Sequence, residues 1–239
     1  MTPLESLLLL QEHDLALDRL RHRRETLPER ATLSAAEAAV TAFGAQLVTA
    51  KAARDEVAAE GKKLDDQALT LAAQADGHEK RLYSGEISSP RELQALQDDV
   101  THLRRRQSEL EDQSIAAMER QEPLDAEVAR LDGERAVASG AVKAAEDALQ
   151  AAEAEIDREA GDEKSARDEI AGKIDATLVA DYEKRRVIAN GVGAARLIGN
   201  TCQGCHLTIP ASEVDRIRKG PADLIATCDN CGCILVATT

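Results

Sequence analysis

The sequence predicts a mainly α protein, a long antiparallel coiled-coil hairpin followed by a small C-terminal β module. Three observations predict it. Aromatic residues are only 1% of the chain while charged residues are 31%. Apolar residues recur at alternating steps of three and four over two long stretches, and every cysteine lies beyond residue 201. Aromatic side chains carry much of the area buried in ordinary cores. One Phe, two Tyr and no Trp leave too little for a large globular core, whereas helices joined along a seam need none.

The first element is a leucine-rich helix, Leu4 to Leu27, which Pro28 separates from the long helix after it. It is expected to pack near residues 151–174 and make a local three-helix section. The apolar run Leu7 to Leu10 has no basic residues before it and is followed by Gln11-Glu12-His13-Asp14, so it does not read as a signal peptide. No segment approaches the ~18 to 20 apolar residues of a bilayer span. The expectation is a cytoplasmic protein with no membrane contact, in which clustered cysteines point to metal or redox chemistry rather than disulfides.

The first seam reads Val40, Phe43, Leu47, Ala50, Arg54, Val57, Gly61, Leu64, Ala68, Leu71, Ala75, with Arg54 and Gly61 as flaws. Residues on this spacing share one helix face, and the many alanines let a partner helix approach closely. The second seam runs from Leu93, Leu96, Val100, Leu103 and Gln107 through Leu131, Arg135 and Ala138 to Ile156 without a phase break. Between them, Ser89-Pro90-Arg91-Glu92 predicts a helix start with Ser89 as N-cap in a capping box and Pro90 at the first helical position. Gly85 suits a turn. So short a turn makes the two helices antiparallel neighbours. A turn centred near Ile87 sets residue i opposite roughly residue 174 − i, so that Val40 faces Glu134 and Leu4 faces Ile170. At ~1.5 Å per residue the arm from Leu33 to Leu82 is roughly 75 Å long, and the expected shape is a rod with a small knob. Pro123, Gly161 and Gly172 are candidate kinks or breaks.

Beyond Ile174 the pattern changes. Leu178 to Ala189 reads as a further helix capped by Asn190-Gly191, and Gly191 to Gly199 as a short glycine-bounded strand. The predicted division is a helical hairpin over 1–175, with its tip near 83–90, and a helix plus cysteine module over 176–239. Net charge is -14 and uneven. Residues 176–239 hold 7 of the 30 basic and 6 of the 44 acidic side chains, a balance of +1, which leaves the preceding part at -15. An acidic chain repels nucleic acid and anionic membrane.

The cysteine module is Cys202-Gln-Gly-Cys205, twenty-two intervening residues, then Cys228-Asp-Asn-Cys231-Gly232. Two such pairs are a four-thiolate zinc arrangement. Each tight turn puts two sulfurs on one side, and four thiolates close the metal to water, which makes one Zn2+ structural rather than catalytic. The module has few apolar residues of its own, so the metal is expected to supply folding free energy. Two disulfides or a dithiol redox site are the weaker alternatives. Cys233 is a fifth cysteine, on the predicted last strand and the same face as Cys231; a spare ligand and a free thiol are both open, with an unliganded small residue favoured. His206 is likewise expected to stay off the metal.

These motifs resemble a known family, the bacterial C4-type zinc ribbon proteins with an N-terminal coiled-coil hairpin. The resemblance rests on the tip from Leu82-Tyr83-Ser84-Gly85 to Leu96-Gln97, on Gly191-Val192-Gly193, and on the two cysteine pairs with Cys233-Ile234-Leu235-Val236. It implies an elongated helical hairpin plus zinc ribbon. It also implies a nucleic-acid-binding or regulatory role, tied in some members to RNA or to transcription and motility partners. Family members usually carry Arg at the position of Cys233, so any contact made by that Arg is absent.

The residues leave three functional readings. A nucleic-acid-binding or transcription-associated regulator would use Lys184, Arg185, Arg186, Arg196, Arg216, Arg218 and Lys219, although no aromatic platform exists for base stacking and binding would be phosphate-driven and salt-sensitive. The alternative is a protein-interaction adaptor using the coiled coil, the ribbon and a tip that carries Tyr83, Ile87 and Pro90. An enzyme acting on a small-molecule substrate is not expected. No Ser/His/Asp or Cys/His constellation and no phosphate loop is present, and the five histidines are scattered.

Overall fold

The computed structural model describes residues 2–221 and 224–237. In chain order the elements are α1 (Pro3–Glu25), α2 (Pro28–Tyr83), α3 (Pro90–Ala171), α4 (Ala176–Ile188), β1 (Ala194–Ile198), β2 (Thr201–Cys202), α5 (Ala211–Lys219), β3 (Ala226–Thr227) and β4 (Ile234–Ala237). They form two compact units. One joins the chain up to Thr32 with everything from Glu146 onward, and the other is Leu33–Ala145. The sequence boundary at 175 falls inside the first unit, because α1, the end of α3 and α4 pack together there.

The second unit is the paired part of α2 and α3. Nearly every seam position read from the sequence is buried or half-buried; Arg135 is exposed and Glu134 is half-buried instead. Deeply buried positions recur at multiples of seven, at Leu47, Gly61, Ala68 and Ala75 on α2 and at Leu96, Leu110, Ala117, Leu131, Ala138 and Ala145 on α3, with Ser114 buried between two of them. Small residues at these points bring the helices close: a Cβ added at Gly61 would lie 3.6 Å from the Ala117 Cβ. The Arg54 flaw is resolved by turning the guanidinium outward to Asp55 (2.6 Å) and Asp125 (3.4 Å) while the stem stays at the seam.

The register differs from the one predicted. Gly61 faces Ala117, Glu60 reaches Arg120 and Asp76 reaches Arg104, about four to six positions further along α3 than a turn centred on Ile87 allows. The physical reason is the connection. Residues 84–89 are not helical, and an extended residue advances roughly 3.3 Å where a helical one advances roughly 1.5 Å. Gly85 has φ 76°, the left-handed conformation expected of it. Helix α3 does begin at Pro90, but Ser89 contributes its backbone carbonyl to Leu93 and no side-chain capping box forms there. A capping box does open α1, between Thr2 and Glu5. Helix α3 runs through Pro123 and Gly161 and stops just before Gly172.

One 18-residue window within Pro3–Tyr83 reaches a mean hydropathy of 1.2 with few charges, enough in length and composition for a bilayer span. This corrects the expectation that no segment comes close. Alanine raises the average there without a continuous run of large apolar side chains, and the window is only 6% buried, as suits helices that bury one narrow stripe.

In the first unit α1 lies along the end of α3, with Arg24 on Asp157, Arg23 on Glu159 and His13 on Glu163. The expected three-helix section forms, and its third member is α4. A four-stranded sheet of order β2-β1-β4-β3 completes the unit, with β1 parallel to β4 and the outer pairs antiparallel. Strand alternation gives the sheet two faces. Ala194, Ile234 and Val236 pack with Leu4, Leu7, Leu8 and Leu10 of α1 and Tyr182 of α4. Ala195, Leu197 and Leu235 pack with Val214 and Ile217 of α5 and with the cysteines.

Candidate metal centre

Four of the cysteines sit on two tight turns. Cys202 ends β2 and Cys205 comes next in the turn; Cys228 lies just after β3 and Cys231 precedes β4. The turns are built alike. The His206 N–H donates to the Cys202 carbonyl and the Gly232 N–H to the Cys228 carbonyl, both at 2.8 Å. Both fifth residues take a left-handed backbone, Gly232 at φ 78° and His206 at φ 59°. Glycine adopts this freely, and histidine does so under mild strain. Gly204 is needed for space, since a Cβ there would come within 3.1 Å of both Ala195 and Val192 side chains. Its N–H points at Cys202 Sγ, 3.4 Å away.

The four Sγ atoms all lie within 4.8 Å of one another. Cys202 to Cys231 is 3.9 Å and Cys205 to Cys228 is 3.8 Å. A tetrahedron with Zn–S bonds of about 2.3 Å has sulfur–sulfur edges of roughly 3.8 Å, so the cage has the right size for one zinc ion held by four thiolates. The electrostatics agree. Burial raises the Cys231 thiol, but the Cys233 N–H and the neighbouring thiols more than compensate and bring it down to about 7. The Leu207 N–H pulls Cys205 down, yet burial and the adjoining cysteines outweigh it and push the thiol up to about 12. Burial also raises Cys228. Thiolates this close repel one another, and a dication at the centre of the cage stabilises all four.

Histidine 206 is exposed and lies outside the cluster, as expected. Cys233 is not an isolated small residue. It is fully buried, with its Sγ 3.3 Å from Cys231 and 3.6 Å from Cys202. Both residues precede β4, which starts at Ile234, so the second cysteine turn brings their sulfurs together rather than the strand face expected from the sequence.

The seven candidate contact cations do not gather into one patch. Arg185 ties α4 to the second cysteine turn, donating to the Gly232 carbonyl at 2.9 Å and to Asp181 at 2.8 Å. Arg186 binds Asp18 at 2.6 Å. Arg196 reaches Glu12 at 3.4 Å, Arg216 pairs with Glu213, Arg218 donates to the Gly199 carbonyl and Lys219 pairs with Asp215. Lys184 is exposed. Sequence reasoning missed a buried polar cluster beside these residues. Asp14 is 2% exposed and receives the Tyr182 hydroxyl at 2.6 Å and Arg167 at 3.2 Å. Gln11 accepts from the Gly193 N–H and donates to the Gly191 carbonyl.

A helical hairpin with a sheet closed by four thiolates defines the class, a coiled-coil protein with a C4 zinc ribbon. The chain belongs to the family described as CT398-like coiled coil hairpin domain, matched over residues 10–189, with a C4-type zinc ribbon domain matched over residues 201–235. It is 30% identical over 231 residues to an uncharacterised protein of Mycobacterium tuberculosis, covering 97% of this chain and 94% of that one. A structure from Mycobacterium smegmatis superposes with a TM-score of 0.87 at 29% identity, over 99% of this chain and 97% of that one. CT398 from Chlamydia trachomatis superposes at 0.71 with 19% identity, over 99% and 98% of the two chains, a likeness of fold.

Proposed function

We propose that this chain is a non-enzymatic binding protein, held together by one structural zinc, whose partners are proteins. The observation that supports this most is the state of the basic side chains: six of the seven candidates for phosphate contact are engaged within the chain, and two of them, Arg185 and Arg186, hold α4 in place. A net charge of -14 opposes nucleic acid further. The hairpin tip is the contact surface this reading favours, because Tyr83 is 84% exposed in a chain with three aromatic residues, and tyrosine is favoured at interfaces.

A nucleic-acid-associated regulator is the second reading. It is favoured by the last turn of α5, which holds Arg216, Arg218 and Lys219 together. A salt titration of RNA and DNA binding to the full zinc-loaded chain separates the two. The adaptor reading expects no binding even at low salt. Salt-dependent binding that disappears when Lys184, Arg216, Arg218 and Lys219 are neutralised would establish the second reading instead.

A further inference from the structure

We propose that the metal centre is a five-thiol site in which Cys233 is a reserve ligand, able to replace Cys202 or Cys231 but not Cys205 or Cys228. The inference rests on the structural-zinc reading and deepens it.

The cage has two opposite edges, Cys202 to Cys231 and Cys205 to Cys228. The Cys233 sulfur lies across the first edge, 3.6 Å from Cys202 and 3.3 Å from Cys231. Both are shorter than the roughly 3.8 Å edge of the cage, so this sulfur lies directly against that edge, and a side-chain rotation suffices to bring a thiol from beside a vertex to the vertex itself. The Cys233 side chain is held ready for this. It is fully buried, its carbonyl accepts from the Cys228 N–H at 2.9 Å, and a Cβ at Gly204 would lie 3.4 Å from its sulfur. A buried thiol beside other sulfurs has no water to bind, so the metal is the strongest partner within reach. The exchange is balanced. One sulfur–metal bond replaces another, and the Cys233 proton passes to the released thiolate. No oxidant takes part.

Cobalt(II) titration of the reduced full-length chain tests this, since the intensity of thiolate-to-cobalt charge transfer counts the sulfurs bound. Wild type and Cys233→Ala should both show four. Cys202→Ala or Cys231→Ala, or both, should retain the four-sulfur intensity, and adding Cys233→Ala should reduce it by about a quarter, as one of four ligands is lost. Cys205→Ala and Cys228→Ala should show that loss without any second change. Retention in at least one of Cys202→Ala and Cys231→Ala, abolished by Cys233→Ala, supports the proposal. If both fall to three sulfurs, or lose the metal or the fold while Cys233→Ala keeps them, the proposal is overturned. If wild type binds no cobalt, the zinc reading itself fails.

Discussion

Beside the leucines that pack on the sheet, polar residues of α1 and α4 bind one another and the strand that follows α4. Gln11 acts in place of a neighbouring strand, accepting from the Gly193 N–H at 2.6 Å and donating to the Gly191 carbonyl at 2.7 Å. Asp14 is buried, but the Tyr182 hydroxyl and two arginines surround it, the condition under which a buried carboxylate is tolerated. Removing one partner leaves part of the cluster unpaired, so Tyr182→Phe should destabilise the chain by about 1–2 kcal/mol, read as a lower urea midpoint; an unchanged midpoint would remove Tyr182 from this role. None of this was legible in the sequence. Gln11 and Asp14 looked like the polar end of an apolar run, although their spacing of three puts them on the leucine face of α1. What they meet there comes from residues more than 150 positions away.

At the scale of elements, the seam was legible because a heptad is a local pattern and fixes which side chains face inward. Its register was not, because that depends on how far six non-helical residues carry the chain before α3 begins. Gly61 is the clearest test of the close approach. It sits inside α2, where glycine is roughly 1 kcal/mol worse than alanine, and an added Cβ meets Ala117 at 3.6 Å, ordinary contact distance. Gly61→Ala should therefore raise stability by about 0.5–1 kcal/mol in thermal or urea unfolding; a loss would show the helices to be closer than this. Strands β2 and β3 have two residues each and α5 has nine. Elements this short take their form from tertiary pairing rather than from local pattern, which is why the sequence showed only β1, β4 and the cysteines between the last helix and the end.

For the whole molecule, the expectation that the ribbon depends on its metal is refined by the two-sided sheet. One face is covered by the leucines of α1; the other meets α5 and the cysteines, where the apolar side chains are fewer and the metal has most to contribute. Zinc competes with protons for the same sulfurs. Cys205 and Cys228 hold their protons more tightly than a free thiol, and Cys231 less so, so acidification must favour the metal-free form. Binding displaces several protons, and affinity should fall by more than about tenfold per pH unit between pH 7 and 5, measured by competition with a chromophoric chelator; a flat profile would contradict thiolate ligation. The most direct measurement is elemental analysis of the chain purified under reducing conditions without added metal. One equivalent of zinc per chain, lost when Cys202, Cys205, Cys228 and Cys231 are all replaced by alanine, is the result predicted. Folded, fully reduced protein with no bound zinc would contradict it.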